Sequence, residues 1–268
     1  MNTPLSPADL RARKAAGEPL VALTCYDAAF ARVLDRAGVD ILLVGDSLGM
    51  VLQGRETTLP VDLEAMVYHT ACVARGRRRA LVLADLPFLS YTTPERALHS
   101  AGRLLQAGGA QMVKLEGGAA RLDTVRRLGA EGIPVCAHLG LLPQSVLRHG
   151  YHVHGREPAE AERILQDAVA MQKAGAQMLV LECVPEVLAA EIAQALEIPV
   201  IGIGAGSRCD GQVLVLYDLL GLTPLEGEPP RFVRDFLTGQ DGGIAGAVRA
   251  YAEAVRARAW PSPDHGYA

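Results

Sequence analysis

The feature that most constrains the fold is a short apolar run that recurs along the chain and ends each time in a polar residue or a glycine. Runs with a polar end occur within Leu42–Gly49, whose acid and hydroxyl are Asp46 and Ser47, and at Leu83–Asp85, Val113–Glu116, Val135–His138 and Val180–Glu182, and a further run at Ile201–Gly206 ends in glycines. The runs are continuously apolar rather than alternating, which is typical of parallel strands covered on both faces.

This rhythm predicts eight strands with helices between them. The predicted strands are Val21–Tyr26, Ile41–Gly45, Ala80–Asp85, Met112–Glu116, Val135–His138, Met178–Cys183, Val200–Gly204 and Gln212–Leu216. The predicted helices start near Asp27, Val61, Pro94, Arg121, Pro158 and Pro185. Before the first strand, Ser6 is a good N-cap and Gly17 a plausible stop for a short helix.

Repeated strand–helix units without a break in composition predict an α/β fold. We expect one domain over residues 1–268, a (β/α)8 TIM barrel with an extra N-terminal helix and C-terminal helices at Arg231–Leu237 and Ile244–Ala259. The region after Gly206 departs from the ideal, because the spacing to Gln212 is too short for a crossover helix. Either a loop replaces that helix, or residues 212–220 are themselves helical; we favour the strand.

Composition excludes several classes of function. The formal charge of -4 and the pI near 6.0 offer no basic patch for nucleic acid. No apolar run approaches the ~20 residues that a membrane span needs, and the N-terminus has no signal-peptide core. The five cysteines form no CxxC pair, and Cys136 and Cys183 lie within apolar strands, which indicates buried free thiols. We expect a soluble, cytoplasmic protein.

Polar residues at the strand ends predict the position of the site, because barrels of this kind build active sites at the C-terminal ends of their strands. The candidates are Asp46, Ser47, Asp85, Lys114, Glu116, His138 and Glu182. Lys114 and Glu116 are two residues apart on one strand and therefore point to the same side.

The charges at this rim do not balance. Four carboxylates face one lysine if His138 is neutral, and crowded carboxylates repel each other or take up protons unless a cation lies among them. Oxygen ligands without a zinc-type Cys/His cluster favour Mg²⁺, although a ring of structural ion pairs is the alternative. Mg²⁺ could hold a 2-oxo acid while Glu182 removes the adjacent proton and Lys114 and His138 bind the substrate.

Two long segments follow strands, Leu48–Pro60 and Leu139–Glu157, and their length and position predict that they act as lids over the site. The second contains His152-Val153-His154, for which a lid or solvated role is favoured over metal binding. The glycines of residues 202–206 resemble a phosphate-binding loop, but close packing explains them equally well.

The ordered motifs together resemble the ketopantoate hydroxymethyltransferase family. They include LVGDSLGM at 43–50, Gln53-Gly54, TLPV at 58–61, ADLPF at 84–88, MVKLEGG at 112–118, HLGLLPQS at 138–145, LVLECVP at 179–185 and IPVIGIGAG at 198–206. The resemblance covers nearly the whole chain from about Leu20, and an extra glycine at Gly108-Gly109 is one of few departures.

The resemblance implies Mg²⁺-dependent transfer of a hydroxymethyl group from 5,10-methylenetetrahydrofolate to 3-methyl-2-oxobutanoate, which gives ketopantoate for pantothenate biosynthesis through a metal-stabilised enolate. By that match Asp46 and Asp85 bind the metal and contact the substrate, and Glu116 joins them directly or through water. Ser47 and Lys114 hold the substrate, and Glu182 is the proton acceptor. The family also implies a large homo-oligomer, often a decamer.

Two other hypotheses about the function compete with a hydroxymethyltransferase. Lyases of the phosphoenolpyruvate mutase and isocitrate lyase group share the barrel, metal and enolate, but their lid carries a cysteine beside Lys, Gly and His, where this chain has His138-Leu139-Gly140. The third hypothesis is a non-catalytic metal-binding barrel, and this hypothesis does not explain why a base would be present at Glu182.

Overall fold

The computed structural model describes residues 3–223 and 229–268. Its strands are β1 Leu20–Thr24, β2 Ile41–Val44, β3 Leu81–Asp85, β4 Met112–Glu116, β5 Val135–Gly140, β6 Met178–Glu182, β7 Val200–Ile203 and β8 Gly211–Leu214. Consecutive strands pair in parallel and β8 pairs with β1, so the sheet closes into a barrel. The predicted (β/α)8 barrel is confirmed.

Helices alternate with the strands on the outside of the barrel. They are α1 Pro7–Ala15, α2 Ala28–Arg36, α3 Leu48–Val51, α4 Leu63–Gly76, α5 Pro94–Gln106, α6 Leu122–Ala130, α7 Val146–His149, α8 Pro158–Ala174, α9 Glu186–Ala195, α10 Leu216–Leu219 and α11 Gly243–Arg256. Short 3₁₀ turns occupy Ala119–Arg121, Pro143–Ser145 and Pro263–His265. None of the helices in the described ranges is both long and apolar enough to cross a lipid bilayer.

Local capping chemistry explains where several helices begin. The Ser6 side chain accepts from the Asp9 backbone and the Asp9 side chain accepts from Ser6, which completes the capping box of α1. Asp27 caps α2 through the amides of Ala29 and Phe30, as predicted. The helix predicted near Val61 begins at Leu63, because Asp62 provides the N-cap.

The chain between β7 and β8 contains no helix, so the short connection after Gly206 is a loop and Gly211–Leu214 is a strand, as favoured. The helix predicted at Arg231–Leu237 is wrong, since the structure has turns there. Asp235 accepts from the backbone amides of Leu237 and Thr238, and this local bonding competes with a helix. The last helix ends at Arg256 rather than Ala259, because Arg258 takes a positive φ of 54°.

The barrel interior is filled by alternate side chains of the strands. Met112 packs in an interior apolar cluster with Leu83 and Cys136. Because strand side chains alternate, Lys114 and Glu116 lie on the same interior side as Met112, closer to the C-terminal mouth. All five cysteines are free thiols, and Cys136 and Cys183 are buried as predicted.

Candidate active site

The strand register brings the predicted side chains to one end of the barrel. Asp85 is in register with Lys114, Glu116 with His138, and Gly140 with Glu182. The polar residues are therefore placed by consecutive strands β3 to β6. Asp85, Lys114, Glu116 and His138 are all buried.

Lys114 is the cation at the centre of this group. Its Nζ lies 3.1 Å from Asp85 Oδ1 and 3.3 Å from His138 Nδ1. Burial lowers the pKa of Lys114, but the nearby carboxylates, Asp85 first, outweigh that effect and hold it above its usual range. The lysine is therefore a permanent ammonium at neutral pH.

His138 lies between two of the carboxylates. Its Nδ1 is 3.7 Å from Glu116 Oε1, and its Nε2 is 3.3 Å from Glu182 Oε2. Burial and the Lys114 charge hold the pKa of His138 well below its usual range, so the ring is neutral. Because the Lys114 ammonium can only donate, Nδ1 accepts from it and Nε2 carries the proton.

Asp46 and Ser47 follow β2 and join the same end of the barrel. The Asp46 backbone amide donates to Asp85 Oδ2 at 3.1 Å, and Ser47 Oγ lies 2.9 Å from Tyr26 Oη. A Cβ on Gly45 would lie 2.7 Å from Ser47 Oγ and 3.6 Å from Asp85 Oδ2. Glycine at that position leaves room for the Ser47 hydroxyl, whereas the distance to Asp85 would be an ordinary contact.

Three carboxylates of the site have raised pKa values. Burial and the neighbouring Asp85 raise the pKa of Asp46 to about 7, and burial raises the pKa of Glu182 to about 7. Burial also raises the pKa of Glu116 well above its usual value. Glu182 is the more accessible carboxylate, with its side chain 16% exposed against 3% for Glu116. It therefore faces the opening of the site.

Several buried polar atoms lack hydrogen-bond partners among the described residues. They include Asp85 Oδ1, Glu116 Oε1 and His138 Nε2. The contact of Lys114 with Asp85 and that of His138 Nε2 with Glu182 are within ion-pair distance but do not have hydrogen-bond geometry. Unsatisfied buried atoms gathered at one site are typical of a place that receives a ligand or an ion.

Residues 3–223 and 229–268 contain no complete set of metal ligands, since no group of three or more His, Cys, Asp or Glu side chains is arranged to hold an ion. This arrangement does not suit zinc, which needs three or four converging ligands. It does suit Mg²⁺, which is usually bound through one or two carboxylates and keeps water or substrate oxygens. Asp46 and Asp85, which are joined by the bond from the Asp46 amide to Asp85 Oδ2, could supply two such carboxylates.

Sequence reasoning missed two neutral residues of the site, Gln144 and Tyr91. Gln144 Nε2 donates to Asp46 Oδ2 at 2.8 Å and to the Leu86 carbonyl at 2.9 Å. The Gln144 backbone amide donates to Glu116 Oε2 at 3.0 Å, and the Tyr91 hydroxyl donates to Gln144 Oε1. Gln144 was present in the HLGLLPQS motif, but an uncharged amide gave no chemical signal.

Two other sequence features lie apart from this chemistry. His154 Nδ1 lies 2.9 Å from Glu160 Oε1, and the His152 and His154 rings are 4.0 Å apart, but they belong to no group of three or more side chains in the described chain that could hold a metal ion. A Cβ on Gly206 would meet the Glu186 side chain at 2.3 Å. Close packing thus explains this glycine, and a carboxylate beside it would repel a phosphate.

Comparison with known proteins supports one family. The family model described as ketopantoate hydroxymethyltransferase matches residues 5–263. The 3-methyl-2-oxobutanoate hydroxymethyltransferase of Halorhodospira halophila is 59% identical over 96% of this chain and 93% of its own length. The enzyme of that name from Methylococcus capsulatus is 54% identical over 100% of this chain and 98% of its own.

Solved structures show the same fold at low sequence identity. The phosphoenolpyruvate phosphomutase of Streptomyces platensis superposes with a TM-score of 0.61 at 15% identity, covering 81% of this chain and 83% of that one. A 2,3-dimethylmalate lyase gives a TM-score of 0.58 at 17% identity, with coverage of 82% and 81%. These likenesses establish the barrel alone. The family match decides against the lyase hypothesis and the hypothesis of a non-catalytic metal-binding barrel. The chain belongs to the ketopantoate hydroxymethyltransferase family and is an enzyme of the transferase class.

Proposed function

We propose that this enzyme transfers a hydroxymethyl group from 5,10-methylenetetrahydrofolate to 3-methyl-2-oxobutanoate, giving 2-dehydropantoate for pantothenate biosynthesis. The relatives that carry the name 3-methyl-2-oxobutanoate hydroxymethyltransferase support the choice of acceptor. The observation that carries the proposal is the grouping of Asp46, Asp85, Glu116 and Glu182 around one lysine at the barrel mouth. Four acids against one cation need a further cation to stay ionised together.

Mg²⁺ is the cofactor we propose, held by Asp46 and Asp85, with Glu116 joining directly or through water. The raised pKa of Asp46 and the unsatisfied oxygens of Asp85 and Glu116 fit a dication at this position. When bound, the ion would polarise the 2-oxo group of the substrate and stabilise negative charge on its oxygen.

The substrate would be held by charged and neutral donors of the chain. The Lys114 ammonium suits the substrate carboxylate, and the Nε2–H of neutral His138 has no hydrogen-bond partner among the described residues and suits an oxo oxygen. The Ser47 hydroxyl, held by Tyr26, adds a further polar contact, and Asp46 and Asp85 adjoin the same space.

Glu182 would act as the proton acceptor. It takes the proton from C3 of 3-methyl-2-oxobutanoate, and the electron pair of the broken C–H bond moves into the 2-oxo group. Water adds to the methylene carbon of the folate and both C–N bonds to that carbon break, which releases formaldehyde and leaves the two water protons on N5 and N10 of tetrahydrofolate. C3 then forms a bond to the formaldehyde carbon, and the formaldehyde oxygen becomes the new hydroxyl by taking up the proton that Glu182 removed from C3. A raised pKa of about 7 suits a base that works near neutral pH.

The direct test is product formation. The purified protein is incubated with 3-methyl-2-oxobutanoate, 5,10-methylenetetrahydrofolate and MgCl₂, and 2-dehydropantoate is measured by mass spectrometry. We expect product that depends on both substrates and disappears with excess EDTA and returns with Mg²⁺. Absence of product with all components present would contradict the proposed function, and cleavage of isocitrate would favour the lyase hypothesis.

The large homo-oligomer, decameric by resemblance, and the cytoplasmic location also stay predictions.

A further inference from the structure

We infer that Gln144 is a positioning residue that sets the orientation of Asp46 and Glu116 for Mg²⁺ binding. The inference rests on the proposed function, because it assigns a task to Gln144 within the same site. Gln144 is 6% exposed and lies in the loop after β5, 98 residues from Asp46 in the chain.

The bonds of Gln144 divide between its side chain and its backbone. The carboxamide nitrogen holds Asp46 Oδ2 at 2.8 Å, while the backbone amide holds Glu116 Oε2 at 3.0 Å. In each acid one oxygen is thereby engaged, and the other is left for a different partner. Glu116 Oε1 has no hydrogen-bond partner in the described ranges, as expected if an ion or its water is to occupy that side.

The orientation of the Gln144 amide is itself fixed. Its nitrogen also donates to the Leu86 carbonyl at 2.9 Å, which can only accept, and its oxygen accepts from the Tyr91 hydroxyl. The Tyr91 oxygen in turn accepts from the Glu116 backbone amide at 3.4 Å. A flipped amide would turn its oxygen toward Asp46 and Leu86, so only one orientation satisfies this network.

A residue with this role acts through Asp46 rather than on the substrate. Groups that hydrogen-bond to metal-binding side chains typically change metal affinity or activity by about 10- to 100-fold when removed. Gln144→Met keeps the length of the side chain and the backbone bond to Glu116 but removes the donor to Asp46. The matched control is Gln212→Met. Gln212 lies on β8, is also buried, and donates to the backbone carbonyl of Gly206.

The experiment measures Mg²⁺ affinity by calorimetry with 3-methyl-2-oxobutanoate present and the folate donor absent, so that no turnover occurs. We expect Gln144→Met to raise the Kd for Mg²⁺ by about 10- to 100-fold. We expect Gln212→Met to leave it within about twofold, even if both variants lose thermal stability. Steady-state assays at saturating Mg²⁺ should recover a large part of kcat in Gln144→Met, which a generally damaged fold would not allow.

A second variant keeps the inference testable if Gln144→Met does not fold. Tyr91→Phe retains the ring and removes only the hydroxyl, and we expect a smaller rise in the Mg²⁺ Kd, about two- to tenfold, equivalent to one neutral hydrogen bond. Unchanged Mg²⁺ affinity in a folded Gln144→Met, or in Tyr91→Phe, would overturn the inference. Failure of the wild-type protein to bind Mg²⁺ at all would instead contradict the proposed function.

Discussion

Lys114 Nζ lies 3.1 Å from Asp85 Oδ1, and the two residues are in register on neighbouring strands, with side chains only 6% and 4% exposed. A charge pair this deeply buried has lost its hydration and depends on its partners. Each remaining carboxylate of the site therefore depends on the same ammonium.

Removing the lysine should destabilise the fold as well as the site. We expect Lys114→Met to lower the free energy of unfolding at pH 8 by about 3–5 kcal/mol, because it leaves buried carboxylates without their cation. Denaturant titration measures this. The matched control is Arg103→Ala, whose partner Glu64 is 68% exposed, so its loss should cost less than about 1 kcal/mol. Equal effects of the two substitutions would contradict this account of the buried pair.

The proton acceptor predicts the pH dependence of the reaction. Burial raises the pKa of Glu182 to about 7, and only the ionised carboxylate can accept a proton. At saturating Mg²⁺, kcat/KM should therefore fall about tenfold for each pH unit below 7. The profile is measured from pH 5.5 to 8.5 in buffers of constant ionic strength. A profile that stays flat down to pH 5.5 would show that the base has an ordinary carboxylate pKa.

The same carboxylates predict how stability responds to pH when Mg²⁺ is removed. Burial raises the folded-state pKa values of Asp46, Glu116 and Glu182, so the folded protein binds more protons than the unfolded chain and loses stability as pH rises toward and through about 7. The lowered pKa of His138 opposes this below about its ordinary 6.5.

We therefore expect the EDTA-treated protein to have a lower Tm at pH 8 than at pH 6.5, measured by calorimetry. Added MgCl₂ should raise the Tm more at pH 8, where the acids are ionised. A metal-free protein that gains stability between these two pH values would contradict the charge accounting at the site.

Gly45 should tolerate no side chain because of Ser47. A Cβ there would lie 2.7 Å from Ser47 Oγ and would push the hydroxyl away from Tyr26. We expect Gly45→Ala to raise the KM for 3-methyl-2-oxobutanoate by about as much as Ser47→Ala does, roughly two- to tenfold for one lost hydrogen bond. Gly129→Ala in α6 is the control, because its Cβ meets nothing within 4 Å. Equal KM values in Gly45→Ala and wild type would show that Ser47 does not hold the substrate.

Much of the fold follows from local sequence rules. Apolar runs gave the barrel strands to within a few residues at each end, and the caps at Ser6 and Asp27 placed helices α1 and α2. The acids at the strand ends meet at one mouth because parallel strands in register leave them no other place. These features depend on periodicity and chain direction, which a sequence displays.

The misses have a different physical origin. Gln144 reaches Asp46 only because the loop after β5 folds back across the mouth, and nothing in its residue type indicates that contact. The predicted helix at Arg231–Leu237 failed because the Asp235 carboxylate bonds neighbouring amides and Phe236 bonds the Leu219 carbonyl. The Gln144 contact and the Phe236 bond depend on tertiary structure, whereas the Asp235 bonds are local and compete with a helix.

We propose that Glu182 removes the C3 proton of 3-methyl-2-oxobutanoate, and NMR can follow the exchange of that proton with deuterated water when Mg²⁺ is present and the folate donor is absent. We expect exchange in the wild type, and a loss of about 10²- to 10⁴-fold in Glu182→Gln with substrate binding largely retained. Glu197→Gln, whose side chain is 72% exposed, is the control and should exchange normally. Undiminished exchange in Glu182→Gln would show that another group removes the proton.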